Sequence, residues 1–160
     1  MQEILDACSG LPEAHFASGD CLIQEGSPGG NFFVLISGEV VVLKGETEVA
    51  RISDPGSVFG EMSALLGLPY SASVRALGPV RARLSENAAE FIAANPAVAL
   101  HTARILAQRL HAATAYLADV KSQFADQKNH FAMMDRILDT LMQRQASRAP
   151  QATAKTDPRL

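Results

Sequence analysis

Between Leu11 and Ser85 the apolar residues come in short runs: CLIQ (21–24), FFVLI (32–36), VVVLK (40–44), EVARI (48–52), SASVRA (71–76) and VRARL (80–84). Each run is rich in β-branched or aromatic residues and is closed by a glycine-bearing polar turn such as SGD (18–20), EGSPGG (25–30), SGE (37–39), KGET (44–47) or SDPGS (53–57). Turn signals recurring roughly every 8–12 residues predict a compact antiparallel β domain of the sandwich, jelly-roll or barrel kind. One stretch breaks the rhythm. EMSALLG, entered from Gly60 and ended by Gly67 and Pro69, predicts a helix of one or two turns embedded in the β domain.

After Ser85 the spacing becomes helical. SENAAEFIAANP (85–96) predicts a helix capped by Ser85, with acidic residues in its first turn and a stop at Pro96. A second helix is expected from Pro96 into the 140s. Along it, alternating steps of four and three give Leu106, Leu110, Ala113, Leu117, Val120, Phe124, Gln127, Phe131, Met134, Leu138 and Leu141, of which ten of eleven are apolar. A seam of that length outruns one small β domain, so a parallel coiled-coil dimer is its simplest use, with a fold-back onto the chain's own domain as the other. Gln127 either fixes register within the seam or, with its neighbours DQKN, marks a bend. The last residues, ASRAPQATAKTDPRL, have no periodicity and read as a disordered tail. The expected organisation is a β domain with flanking helices over 1–95, a dimerisation helix over 96–145 and the tail over 146–160.

Composition narrows the function. The 160 residues are 48% hydrophobic and 19% charged, with a net charge of -3, which suits one globular domain plus an appendage and gives no overall attraction to polyanions. Cys8 and Cys21 form no C-x-x-C pair and are expected to be reduced, packed thiols, with no metal site between them. His15, His101, His111 and His130 are scattered. No leader, no membrane-length apolar run, no phosphate loop and no nucleophile motif is evident, so the expectation is a cytoplasmic, non-enzymatic protein away from membranes.

The chemistry concentrates in FGEMSALLGLPYSASVRA. The N-terminus of the short helix turns backbone N–H groups of Glu61, Met62 and Ser63 outward, which is an anion-binding arrangement and equally an ordinary helix cap. Gly60 allows close approach, and Glu61 is placed to accept hydrogen bonds from a sugar.

Taken with FASGDCLIQEGSPGGNFFVLISGEVVVLKGE, ISDPGSVFGEMSALLGLPYSASVRAL and ARLSENAAEFI, this stretch resembles the cyclic nucleotide-binding domain family. That family includes the sensor domains of catabolite activator-type regulators, kinase regulatory subunits and nucleotide-gated channels. The resemblance covers about residues 10–118 and implies an α+β fold: an antiparallel β-roll or jelly roll with an embedded cassette helix and a long C-terminal dimerisation helix. It further implies cAMP or cGMP as ligand, with no covalent cofactor. Gly60 and the backbone of Met62 and Ser63 would meet the cyclic phosphate, Glu61 the ribose 2'-hydroxyl and Ser71 the phosphate again, while Ala113 and Thr114 would lie near the base. Tyr70 departs from the pattern, standing where the family has an arginine. Such a cation makes charge-assisted hydrogen bonds worth about 1.5–3 kcal/mol, whereas a phenol donates one neutral bond or fills space. Arg75, on the same strand face as Ser71 and Ser73, is read as a solvated surface residue rather than a substitute.

Two functions follow as expectations. One is a homodimeric regulator that passes cyclic nucleotide binding to a partner protein through its C-terminal helices. The other is a ligand-independent scaffold with its pocket plugged by Tyr70. Binding to DNA is not expected, because the helix-turn-helix that follows such sensors in bacterial regulators has no counterpart here.

Overall fold

The computed structural model describes residues 2–123 and 131–143. Eight strands form two four-stranded antiparallel sheets. One has the order β1 (Glu13–Phe16), β8 (Val80–Ser85), β3 (Phe32–Ser37), β6 (Val58–Phe59); the other β2 (Cys21–Ile23), β7 (Ser73–Ala76), β4 (Val40–Lys44), β5 (Thr47–Ile52). All six apolar runs become strands. The helices are α1 (Gln2–Ala7), α2 (Glu61–Leu66), α3 (Ala88–Ala94), α4 (Pro96–Gln123) and α5 (Phe131–Gln143). None of the described helices is long and apolar enough to cross a membrane.

The β3 run FFVLI is apolar without alternation because both of its faces are covered. Phe33 and Leu35 enter the core between the sheets, with Leu22, Val40, Phe59 and Val80. Phe32 and Val34 point the other way, into a second core with Ile4, Cys8, Val58, Ala88, Ile92 and Val98 from the helices and β6. A residue buried like Phe32 or Leu35 contributes about 1.5–3 kcal/mol, so β3, which feeds both cores, is the central element of the domain. The 28-residue α4 begins at Pro96, whose fixed φ suits a first helical position. His101 on α4 contacts the Gly56 carbonyl through Nε2 at 2.8 Å, joining the helix to the loop before β6.

The chain divides into two compact units, Met1–Gln108 and Arg109–Leu160. In the second, Lys121 Nζ and Asp135 Oδ1 form an ion pair. On one continuous helix these residues would stand about 21 Å apart, so α4 and α5 are two helices and not a single rod. Among the described residues of this unit the half-buried apolar ones are Leu117, Val120, Met134 and Leu138, all seam positions. Gln127 and Phe124, together with the tail over 146–160, lie outside the described residues.

Three local expectations need correcting. The residue preceding α3 is Asn87 and not Ser85, which ends β8 and is buried; the strand runs on because its ladder with β3 reaches Ser85 opposite Phe32. Cys8 is fully buried, and its thiol is pushed up to about 11 by that burial, but Cys21 is exposed, with its Sγ directed at the Ile23 carbonyl. Two strands, β1 and β6, were not foreseen, since EAHF holds no apolar run and VF is only two residues long.

Candidate functional site

The stretch from Gly60 to Ser71 crosses from β6 to β7 by way of α2. Gly60 precedes α2 at φ 87°, in the left-handed region, and a Cβ there would stand 2.2 Å from the Asn31 carbonyl oxygen. Only glycine satisfies both conditions. Gly67 ends the helix at φ 65°, its N–H donating to the Ser63 carbonyl. The short helix is thus cut by a glycine at each end.

Of the expected site residues, Glu61 is 3% exposed and already engaged within the protein. Ser63 is buried too, and its hydroxyl donates to the Leu68 carbonyl at 2.5 Å, closing the helix end. Met62 points outward, 44% exposed. Thr114 belongs to the second unit, where it is half-buried on α4 beside the exposed Ala113.

Tyr70 turns inward. Its ring joins the inter-sheet core with Phe33, Phe59 and Val74, and the residue is 9% exposed. At the far end of the ring the hydroxyl accepts from the Asn31 N–H at 3.0 Å and donates to the Asn31 carbonyl at 3.1 Å. The Tyr70 backbone is held as closely: its carbonyl accepts from Gly26 N–H at 2.8 Å and its N–H donates to the Ser27 carbonyl at 3.1 Å. Ring edge, Gly60 and Asn31 converge, for Cε1 of Tyr70 would lie 3.4 Å from a Cβ on Gly60. A buried phenol requires a partner for its hydroxyl, and the main chain of Asn31 supplies a donor and an acceptor.

Ser71 is exposed, and its carbonyl accepts from Lys44 Nζ at 2.7 Å. The same ammonium donates to Glu25 Oε1 at 2.5 Å, while the second carboxylate oxygen accepts from Gly45 N–H at 2.7 Å. Those bonds, the lysine first and the amide second, hold the Glu25 carboxyl below its ordinary range. Glu25 N–H in turn donates to the hydroxyl of the buried Ser73 at 2.9 Å. Lys44, at the tip of the β4–β5 hairpin, is therefore the cation beside the cassette. It was missed because it lies 27 residues from Ser71 in sequence. Arg75 is exposed opposite Cys21 in the β2–β7 ladder, as a solvated arginine should be.

This arrangement, two antiparallel sheets with a glycine-bounded helix between β6 and β7, has a counterpart among known proteins. The cyclic nucleotide-binding domain model matches residues 13–91. Residues 13–91 belong to the cyclic nucleotide-binding domain family. The chain is 45% identical over 79 residues to the cAMP-dependent protein kinase regulatory subunit of Hypocrea atroviridis, covering 49% of this chain and 17% of that protein. It is 30% identical over 116 residues to the CRP-like cAMP-activated global transcriptional regulator of Mycobacterium tuberculosis, covering 69% of this chain and 52% of that one. The chain thus spans about half or less of the curated relatives it matches. Among solved structures it is similar to the Thermus thermophilus catabolite activator protein, with TM-score 0.60 and 29% identity over 75% of this chain and 59% of that one.

These relatives are named as regulators. From Gly60 to Ser71 the cassette contains no lysine, arginine or histidine, Lys44 is already shared between Glu25 and the Ser71 carbonyl, and the hydroxyl of Ser63 is spent on Leu68.

Proposed function

We propose that the chain is a regulatory module of the cyclic nucleotide-binding family whose cassette is closed from within, and that it acts through protein contacts rather than by capturing cAMP or cGMP. The observation behind this is Tyr70: a residue at the arginine position that is buried in the core, with its hydroxyl doubly bonded to Asn31. A nucleotide would have to displace that ring and break both bonds without recovering a charge-assisted contact. Output passes through the C-terminal helices, where Leu110 and Ala113 of α4 remain exposed for a homodimer or a partner protein.

A second reading, a cyclic nucleotide sensor that signals to its partner through the same helices, is favoured by Gly60 and Glu61, which keep the family's residues and, at Gly60, the left-handed backbone. In that reading Met62, Ser63 and Ser71 complete the cassette's contacts with the ligand. Ligand can shift the helices only through unequal affinity for two states.

Calorimetric titration of cAMP and cGMP into the wild type, Tyr70→Arg and Glu61→Ala separates the two. Closure predicts no heat from the wild type up to millimolar nucleotide. Micromolar binding by the wild type, abolished in Glu61→Ala, rejects closure in favour of the sensor.

A further inference from the structure

The cassette helix has an apolar face that nothing in its own unit covers. Met62, Leu65 and Leu66 follow one another at helical spacing on α2 and are 44%, 51% and 62% exposed; Leu68, just past the helix, is 56% exposed. Four large apolar side chains in seven residues form a patch of the kind that marks protein contacts. Beside it, between α2, the loop before β3 and the start of α3, lies a cavity of about 450 Å³ whose lining includes Gly29, Gly30, Ala64, Leu68, Ala88 and Ala89. Gly29 packs so closely that a Cβ on it would stand 1.4 Å from the Ser63 hydroxyl.

No charged side chain lines the cavity, but its edge is acidic. Asn87, part of the lining, donates from Nδ2 to Glu90 Oε2 at 2.5 Å and so holds that exposed carboxylate at the rim. Glu86 is exposed on the other side of Asn87. An apolar surface with an acidic border is complementary to a helix that presents leucine-like residues on one face and lysine or arginine along its flank.

We propose that the outer face of α2 and the cavity beside α3 together dock an amphipathic, basic helical segment of a partner protein, with an apolar side chain entering the cavity past Leu68 and a cation meeting Glu90. This names a surface and a partner chemistry for the regulatory reading, and rests on it only in supposing a protein partner. Nucleotide titration tests closure of the cassette, so the two ideas fail separately.

The test uses the full chain labelled with ¹⁵N and two synthetic helical peptides of the same pattern, one of leucine and lysine, the other of leucine and glutamate. The lysine peptide is expected to shift amide resonances in 26–30, 62–69 and 86–90, and the glutamate peptide to leave them unmoved. Leu66→Asp with Leu68→Asp should weaken binding about tenfold or more; Glu90→Lys should weaken it several-fold and flatten its salt dependence. All three positions are exposed, so each variant folds as the wild type does, which its amide spectrum checks. Shifts centred elsewhere, equal affinity for both peptides or unchanged affinity in the variants would overturn the proposal. So would binding of phosphatidylcholine vesicles by these leucines without binding of the peptide.

Discussion

The Tyr70 hydroxyl and the main chain of Asn31 form a closed pair in which one oxygen both accepts from the N–H, at 3.0 Å, and donates to the carbonyl, at 3.1 Å. Asn31 lies just before β3, and its carbonyl is also the group that excludes a side chain at Gly60. One residue thus joins the loop before β3, the start of α2 and the residue in the arginine position.

Removing the hydroxyl alone tests that junction. Tyr70→Phe keeps the ring in the core and leaves the Asn31 N–H and carbonyl without their partner, a loss of about 1–3 kcal/mol. Urea unfolding should show a lower midpoint with an unchanged slope. Tyr70→Arg places an unpaired guanidinium in the same apolar space and should destabilise the chain further, by about 3 kcal/mol or more; millimolar cAMP or cGMP should recover part of that loss if the arginine can reach a cyclic phosphate.

The two glycines bounding α2 should differ in tolerance. At Gly60 an alanine must adopt a φ of 87° and also meets the Asn31 oxygen at 2.2 Å, so Gly60→Ala should cost well above the roughly 1–2 kcal/mol of the left-handed backbone alone. At Gly67, φ 65° with nothing within 4 Å of the added carbon, only that backbone cost of about 1–2 kcal/mol remains. Thermal unfolding of the two variants side by side should rank them in that order.

Acid should loosen the contact between the hairpin tip and the cassette. Because Lys44 and the Gly45 amide lower the Glu25 carboxyl in the folded protein, its contribution is present above the unfolded carboxylate value of about 4.3 and is lost as pH falls through the lower folded value. Glu25→Gln should therefore be less stable than the wild type near neutrality, with the gap closing as pH drops below about 4. Urea midpoints measured for both proteins across that range check the sign; a gap that widens toward acid would contradict it.

The pairing of α4 with α5 is open to a distance measurement. Nitroxides at the exposed positions 118 and 139, which leave the Lys121–Asp135 pair intact, should report a separation well below the about 31 Å of a continuous helix. The exposed Cys21 must first be changed to serine, while the buried Cys8, its thiol raised to about 11, should stay unlabelled near neutral pH.

Six of the eight strands, the short helix between its two glycines and the position of the cassette were legible in the sequence, because each depends on residues adjacent along the chain: apolar runs, turn glycines, a proline at the head of α4. The odd residue of the cassette was legible as well, since Tyr70 stands in plain view at a position where a cation belongs. Its meaning was not. Whether the phenol faces a ligand or the core depends on Asn31, 39 residues away, which only the packing of the loop before β3 against the cassette brings within hydrogen-bond reach. Lys44 came to the cassette the same way, across a hairpin. The seam shows the complementary case. A heptad pattern states that one face of a helix must be covered and does not say by what; the Lys121–Asp135 pair shows that α4 and α5 are not one continuous rod. Periodicity along the chain determined the elements; the contacts between distant segments decided what the cassette and the helices can do.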